Sequence, residues 1–146
     1  MSDFYLKVGD SVTFSKTVSE SDVYLFAGIT GDFAPNHVDE EFMKHTKYGK
    51  RIAHGALMIG YMSTASSKII EKSEHGNSGK ETPVSLGYDR IRFLEAVCIG
   101  DTITVTYKVK EIDVMKRRSV SSIVITNQNG KEVTIATHIL KWVAAA

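Results

Sequence analysis

Asp32 and His37 stand five residues apart in the segment Gly31-Asp32-Phe33-Ala34-Pro35-Asn36-His37. Acid–base chemistry near neutral pH needs two groups able to exchange a proton. Carboxylates titrate ordinarily near about 3.9 and imidazoles near about 6.5. The aspartate is then a ready base, and the histidine can donate or orient. Spacing limits how the two can meet. Five residues on a helix is a turn of roughly 140°, so the side chains would diverge. An odd separation on a strand sends them to opposite faces. A turn can aim both at one point, and Pro35 between them favours a turn. The plainer alternative is a loop aspartate capping backbone beside a surface histidine. With five histidines and 17 acidic residues in the chain, such a spacing is common.

Arg51-Ile52-Ala53-His54-Gly55 places a glycine at the start of the longest helical pattern. The first N–H groups of a helix lack internal partners and lie at its positive end. They are natural donors to an oxyanion. Gly55 has no side chain to keep a carbonyl oxygen away, although a packing glycine would look the same. His54 reads as a satisfied, partly buried histidine rather than a catalytic one.

These segments need a frame. The 146 residues make one ordinary domain, covering 1–146, large enough to bury a core without disulfides or a structural metal. Net charge is +1, which gives no argument for a nucleic-acid or membrane partner. No apolar run approaches the roughly 20 residues of a membrane span, and the N-terminus lacks a secretory pattern, so a cytoplasmic protein is expected. Cys98 is the one cysteine, set in the apolar stretch 96–99, and reads as a packing residue. Neither His37 with Asp39 nor any Cys/His set has metal-ligand spacing, so no metal or cofactor is expected. Lys116-Arg117-Arg118 reads as a solvated hairpin end, with contact to a substrate phosphate as its functional alternative.

Gly9-Asp10 opens a strand-like run, Val12 to Val18. Ser19 can cap a helix that runs to Gly31, and a short polar helix is predicted over 39–45. His54 to Lys72 is the long helix. Its first half, to Met62, has almost no polar side and should be buried all round, whereas 66–72 should emerge. Residues 73–82 read as an exposed loop. The period then becomes two: Ile103, Val105, Tyr107 and Val109 alternate with polar neighbours. Residues 119–126 and 133–143 are further strands, joined at Asn129-Gly130, a hairpin turn in which both positions tolerate positive φ. An α+β domain with a curled antiparallel sheet round a central helix satisfies this pattern. Its free sheet edge predicts pairing in a homodimer.

Taken together, the segments resemble a known family. Gly31-Asp32-Phe33-Ala34-Pro35-Asn36-His37-Val38-Asp39 is similar to the Gly-Asp-x-Asn-Pro-x-His-x-Asp signature of the MaoC-like dehydratases and (R)-specific enoyl-CoA hydratases. Ile52-Ala53-His54-Gly55, Arg92-Phe93 and Val97-Cys98-Ile99-Gly100-Asp101 extend the resemblance along nearly the whole chain. It implies a hot-dog fold, usually dimeric, and addition or removal of water at the double bond of a 2-enoyl-CoA. It implies Asp32 and His37 as the catalytic pair, Gly55 as the thioester carbonyl donor, and Ser63 as a helix residue lining the site. Acyl-CoA is the implied substrate and a homodimer or higher homo-oligomer the implied assembly. Two departures concern the site. Ala34 stands where the signature has asparagine, with Asn36 following the proline as a substitute support. Gly87-Tyr88-Asp89-Arg90 replaces a stretch that usually holds glutamine. A hot-dog thioesterase and a non-catalytic acyl-CoA-binding module are the competing readings.

Overall fold

The computed structural model describes residues 4–73 and 80–145. Five strands form one antiparallel sheet in the order β1-β3-β4-β5-β2: β1 (Ser11–Thr17), β2 (Glu81–Phe93), β3 (Thr102–Asp113), β4 (Arg118–Thr126) and β5 (Glu132–Ala144). Four helices accompany it: α1 (Glu20–Thr30), α2 (Pro35–Val38), α3 (Glu40–Lys44) and α4 (Gly55–Lys72). The sheet curls over α4 without closing, so β1 and β2 remain edges.

The two-residue period of β3 becomes the inner face of the sheet. Ile103, Val105, Tyr107 and Val109 are buried, and Ile123 and Ile125 of β4 join them. Against this face α4 lays Met58, Tyr61, Met62, Ala65, Ser66 and Ile69. These positions follow the three- and four-residue steps of one helix side. Each large apolar side chain removed from water there stabilises the fold by about 1.5–3 kcal/mol. At the far end Trp142 is buried beneath Phe4, with ring centroids 4.8 Å apart, and stacks on Tyr5 at 5.5 Å.

Several boundaries differ from the sequence expectations. The first half of α4 is not buried all round: Ala56 and Gly60 are exposed, as are Ser63 and Thr64 just beyond it. One sheet covers one side of a helix, and a face of small residues offers little apolar area to draw in more chain. Conversely, the half expected to emerge keeps Ser66 and Ile69 buried, because the apolar stripe continues. The segment 32–37 is a turn only as far as Ala34; Pro35 then opens α2, its preset φ serving a first helical position. The expected loop over 73–82 lies partly outside the described residues, and its end, Glu81 and Thr82, already belongs to β2. In the β4–β5 hairpin only Gly130 takes positive φ; Asn127 Oδ1 accepts from Asn129 N and Lys131 N instead. Arg117, read as part of a solvated basic run, is tied to Glu81 and lies over the Tyr5 ring. Among the described residues no helix is long and apolar enough to cross a membrane.

Candidate active site at the mouth of the central helix

Three short pieces of backbone carry the site, and each is fixed by local chemistry. Ser19 and Asp22 form a reciprocal capping box that starts α1. Gly31 ends it in the left-handed conformation (φ 83°), where its N–H reaches Ala27 O at 2.8 Å. That reversal delivers Asp32 to the end of the helix. The Asp32 carboxylate folds back to accept the Ala34 N–H at 3.2 Å. Asp32 remains open to solvent, with half of its side chain (51%) exposed.

Pro35 starts α2 and places His37 in its only full turn. His37 is 7% exposed. Its Nδ1 lies 2.8 Å from Ile52 O. A carbonyl can only accept, so Nδ1 carries the proton of this bond. Nε2 is left as the ring's uncommitted nitrogen. The segment 52–53 is itself laced in place: Ile52 N donates to Asn36 O at 3.0 Å, and Ala53 N to Val97 O at 2.7 Å. Arg51 anchors the same segment from outside. Its guanidinium meets Glu40 and Glu20 at 2.6 Å each and the Tyr24 hydroxyl at 3.1 Å, joining α1, α3 and the approach to α4. Exposed ion pairs add little stability, but this fork fixes direction.

Gly55 is the first residue of α4, so its N–H belongs to the unsatisfied first turn. The Phe93 ring lies so close that a Cβ at Gly55 would meet it at 3.1 Å. His37, Asn36, Gly55, Met58, Phe93 and Thr134 line a cavity of about 600 Å³. The cavity therefore holds an imidazole nitrogen, a helix N-terminus and an apolar wall in one place. The carboxylate of Asp32 stands at its side: one oxygen or nitrogen from each of Asp32, His37 and His54 lies within 4.8 Å of the others.

Those three residues have the types of a metal set, but their bonding does not suit one. His54 Nε2 lies 2.9 Å from Asp32 O, so that nitrogen donates its proton to backbone. His37 Nδ1 is likewise spent on Ile52 O. His54 Nδ1 has no partner among the described residues but is buried. His37 Nε2 and the half-exposed Asp32 carboxylate are the groups left to face a guest in the cavity. The arrangement suits a small neutral molecule held between a carboxylate and an imidazole.

The predicted residues do not all gather. Asp32, His37, Asn36 and Gly55 converge. Ser63 does not join them; it is exposed two turns along α4, where its hydroxyl comes within hydrogen-bonding reach of Tyr88. Ala34 falls at the N-cap of α2 with no side-chain cap, the position at which asparagine is a preferred residue. The Asp32 carboxylate accepts the N–H of Ala34 itself and leaves the first-turn N–H groups of α2 without a side-chain acceptor. Cys98 is half-buried, and burial pushes its thiol up, which favours an unreactive form. His54, read from sequence as a satisfied, partly buried histidine, is 2% exposed and keeps one nitrogen without a partner among the described residues. It stacks on His37 with ring centroids 3.7 Å apart, a contact the sequence did not show. The available signal was its place immediately before Gly55. Sequence reasoning missed Arg51, whose three partners come from distant segments.

Comparison with known proteins agrees with this geometry. The chain matches the model of the MaoC like domain over residues 4–131. It is 38% identical over 104 residues to the "(R)-specific enoyl-CoA hydratase" of Rhodospirillum rubrum, a match covering 71% of this chain and 66% of that protein. It is 34% identical over 114 residues to the "3-hydroxybutyryl-CoA dehydratase" of Methylorubrum extorquens, covering 78% and 67%. The chain thus spans about two thirds of the length of these relatives. Among solved structures, the "(R)-hydratase from A. caviae involved in PHA biosynthesis" superposes with a TM-score of 0.80 at 24% identity, covering 93% of this chain and 96% of that one. That likeness shows the hot-dog fold. The chain belongs to the MaoC-like domain family.

Proposed function

We propose that the protein is a hydro-lyase, adding water to 2-enoyl-CoA thioesters to give (R)-3-hydroxyacyl-CoA, or removing it in reverse. The observation that carries this reading is that His37 and the first residue of α4, Gly55, line one cavity, with a carboxylate oxygen of Asp32 within 4.8 Å of a ring nitrogen of His37. Named relatives that are enoyl-CoA hydratases and hydroxyacyl-CoA dehydratases support it.

In the hydration direction the thioester carbonyl accepts a hydrogen bond from Gly55 N–H. A water molecule sits between the Asp32 carboxylate and the His37 ring. Asp32 takes one proton as the water oxygen bonds to the β-carbon. The electron pair of the double bond moves toward the carbonyl, and the helix N-terminus stabilises the enolate-like oxygen. His37, in its protonated form, gives a proton from Nε2 to the α-carbon. The proton held by Asp32 then returns to His37, and the cycle closes with atoms balanced. The two groups act as one unit. Delivery of both parts of water from one side gives syn addition.

Lys47, at the edge of the cavity, offers a cation toward the phosphates of a CoA carrier. The working form is a homodimer. Its support is the unpaired edge of β2, where Leu86, Phe93 and Leu94 are exposed, beside the small-residue face of α4.

The test is incubation with crotonyl-CoA, following the absorbance of the conjugated thioester and resolving the product by chiral chromatography. The reading predicts loss of the chromophore and an (R)-3-hydroxybutyryl product. Release of free thiol with the chromophore retained would establish a thioesterase instead. An unchanged substrate that binds would establish a binding module.

A further inference from the structure

His54 is buried beside the acid–base pair, and the hydration chemistry above assigns it nothing. Its Nε2 lies 2.9 Å from the main-chain oxygen of Asp32. Its ring stacks on His37 at 3.7 Å, with 26° between planes, and its other side meets Phe26 at 4.7 Å. Its backbone is the N-cap of α4, directly before Gly55. One buried side chain thus touches both members of the acid–base pair from the residue adjoining the carbonyl donor.

The bonding is specific. The Asp32 carbonyl can only accept, so Nε2 must carry the proton. Nδ1 is buried with no hydrogen-bond partner among the described residues. A plain packing role would be filled more cheaply by an apolar ring, since an unsatisfied buried nitrogen costs about 1–3 kcal/mol. The histidine is retained at a cost to stability, and the return is geometric. Asp32 follows a left-handed glycine and is half exposed, so apart from the 3.2 Å bond that its N–H donates to Thr30 Oγ1, little else holds its backbone.

We infer that His54 is a positioning residue: its Nε2–H holds the Asp32 backbone, and its ring seats the His37 imidazole, so that both face the same water beside Gly55. The inference rests on the hydratase reading. Small misplacements of such groups are expensive, since about 1 Å can cost about 10²-fold in rate.

Two amide substitutions separate the tether from mere packing. His54→Gln places a donor at the Nε2 position; His54→Asn falls short of the Asp32 carbonyl. The expected result is a kcat for crotonyl-CoA hydration about 10²-fold down in His54→Asn with KM within about threefold of wild type, and recovery to within about tenfold of wild type in His54→Gln. Equal rates in the two variants, high or low, would overturn the tether. If neither variant folds, ¹⁵N NMR of the wild-type imidazoles decides. It should show His54 protonated at Nε2 with a slowly exchanging proton, and an Nδ1-protonated ring would overturn the inference. A wild type that does not hydrate crotonyl-CoA would defeat the hydratase reading, while the NMR result would still judge the Asp32 tether.

Discussion

Among the described residues histidine is buried at two places, and they have opposite characters. At the mouth of α4, His37 and His54 stack on each other beside a cavity. Inside the sheet, His138 of β5 is fully buried between Ser85 of β2 and Tyr107 of β3, its Nε2 2.7 Å from Ser85 Oγ and its Nδ1 2.9 Å from the Tyr107 hydroxyl. Tyr88 stacks on it at 4.3 Å. Burial pushes the His138 pKa down to about 4, so the ring is neutral at physiological pH. Both of its nitrogens are consumed by the fold. His37 consumes one and leaves the other to the cavity. Burial makes both rings precise in position; an uncommitted nitrogen makes only one of them a reagent.

That contrast can be broken most severely at the cavity. Asp32→Asn and His37→Ala should each lower kcat for crotonyl-CoA hydration by about 10²–10⁴-fold, the usual range for a general acid or base. Asp32→Asn should change the melting temperature little, because the side chain is half exposed. Steady-state kinetics with a thermal melt check both statements, and near wild-type turnover in either variant removes that residue from the mechanism.

Gly55→Ala should come next. Its new Cβ would stand 3.1 Å from the Phe93 ring, and the carbonyl would lose its close approach to the helix. Loss of one oxyanion donor costs about 10²–10³-fold, so a drop of about 10²-fold is expected. Adding Phe93→Ala should recover the melting temperature but not the rate. Recovery of both would make Gly55 a packing residue.

His138 should give the reverse pattern. His138→Leu strands two hydroxyls and should cost about 2–4 kcal/mol of stability, with kcat per folded molecule unchanged. The ring also ties stability to pH. Its folded pKa of about 4 lies below its unfolded value of 6.5, so the unfolded chain binds the extra proton. Stability from this group is complete above about pH 6.5 and declines by about 3 kcal/mol as pH falls to about 4. Denaturant melts across that window should show a smaller decline in His138→Leu; parallel curves would mean that His138 is not held neutral.

The smallest effect is expected at the start of α2. Ala34→Asn supplies the missing cap and should add about 0.5–1 kcal/mol. A destabilised variant would mean that the α2 N-terminus gains nothing from a side-chain acceptor at residue 34.

The same contrast explains what could be read from the sequence. His37 was legible because its neighbours form a signature and because five-residue spacing across a proline excludes regular elements. β3 and β5 were legible because their period is two and their burial follows it. His138 was opaque: a lone histidine in an alternating strand says which face it occupies, not that Ser85, Tyr88 and Tyr107 meet it there. His54 was legible as a buried histidine but not by its contacts, since Asp32 and His37 reach it from other segments. Ser63 was read through resemblance alone, and the helix turns it outward. The small face of α4 was taken as buried because apolar composition does not reveal how far one sheet can wrap.

The central claim is that Asp32 and His37 work on one water molecule as a single device. Hydration of crotonyl-CoA by Asp32→Asn, His37→Ala and the double variant tests it most directly. Groups that act as one unit lose most of their effect together, so the double variant should fall within about threefold of the weaker single variant. Losses that multiply, each residue subtracting its own factor from the other's background, would contradict the account.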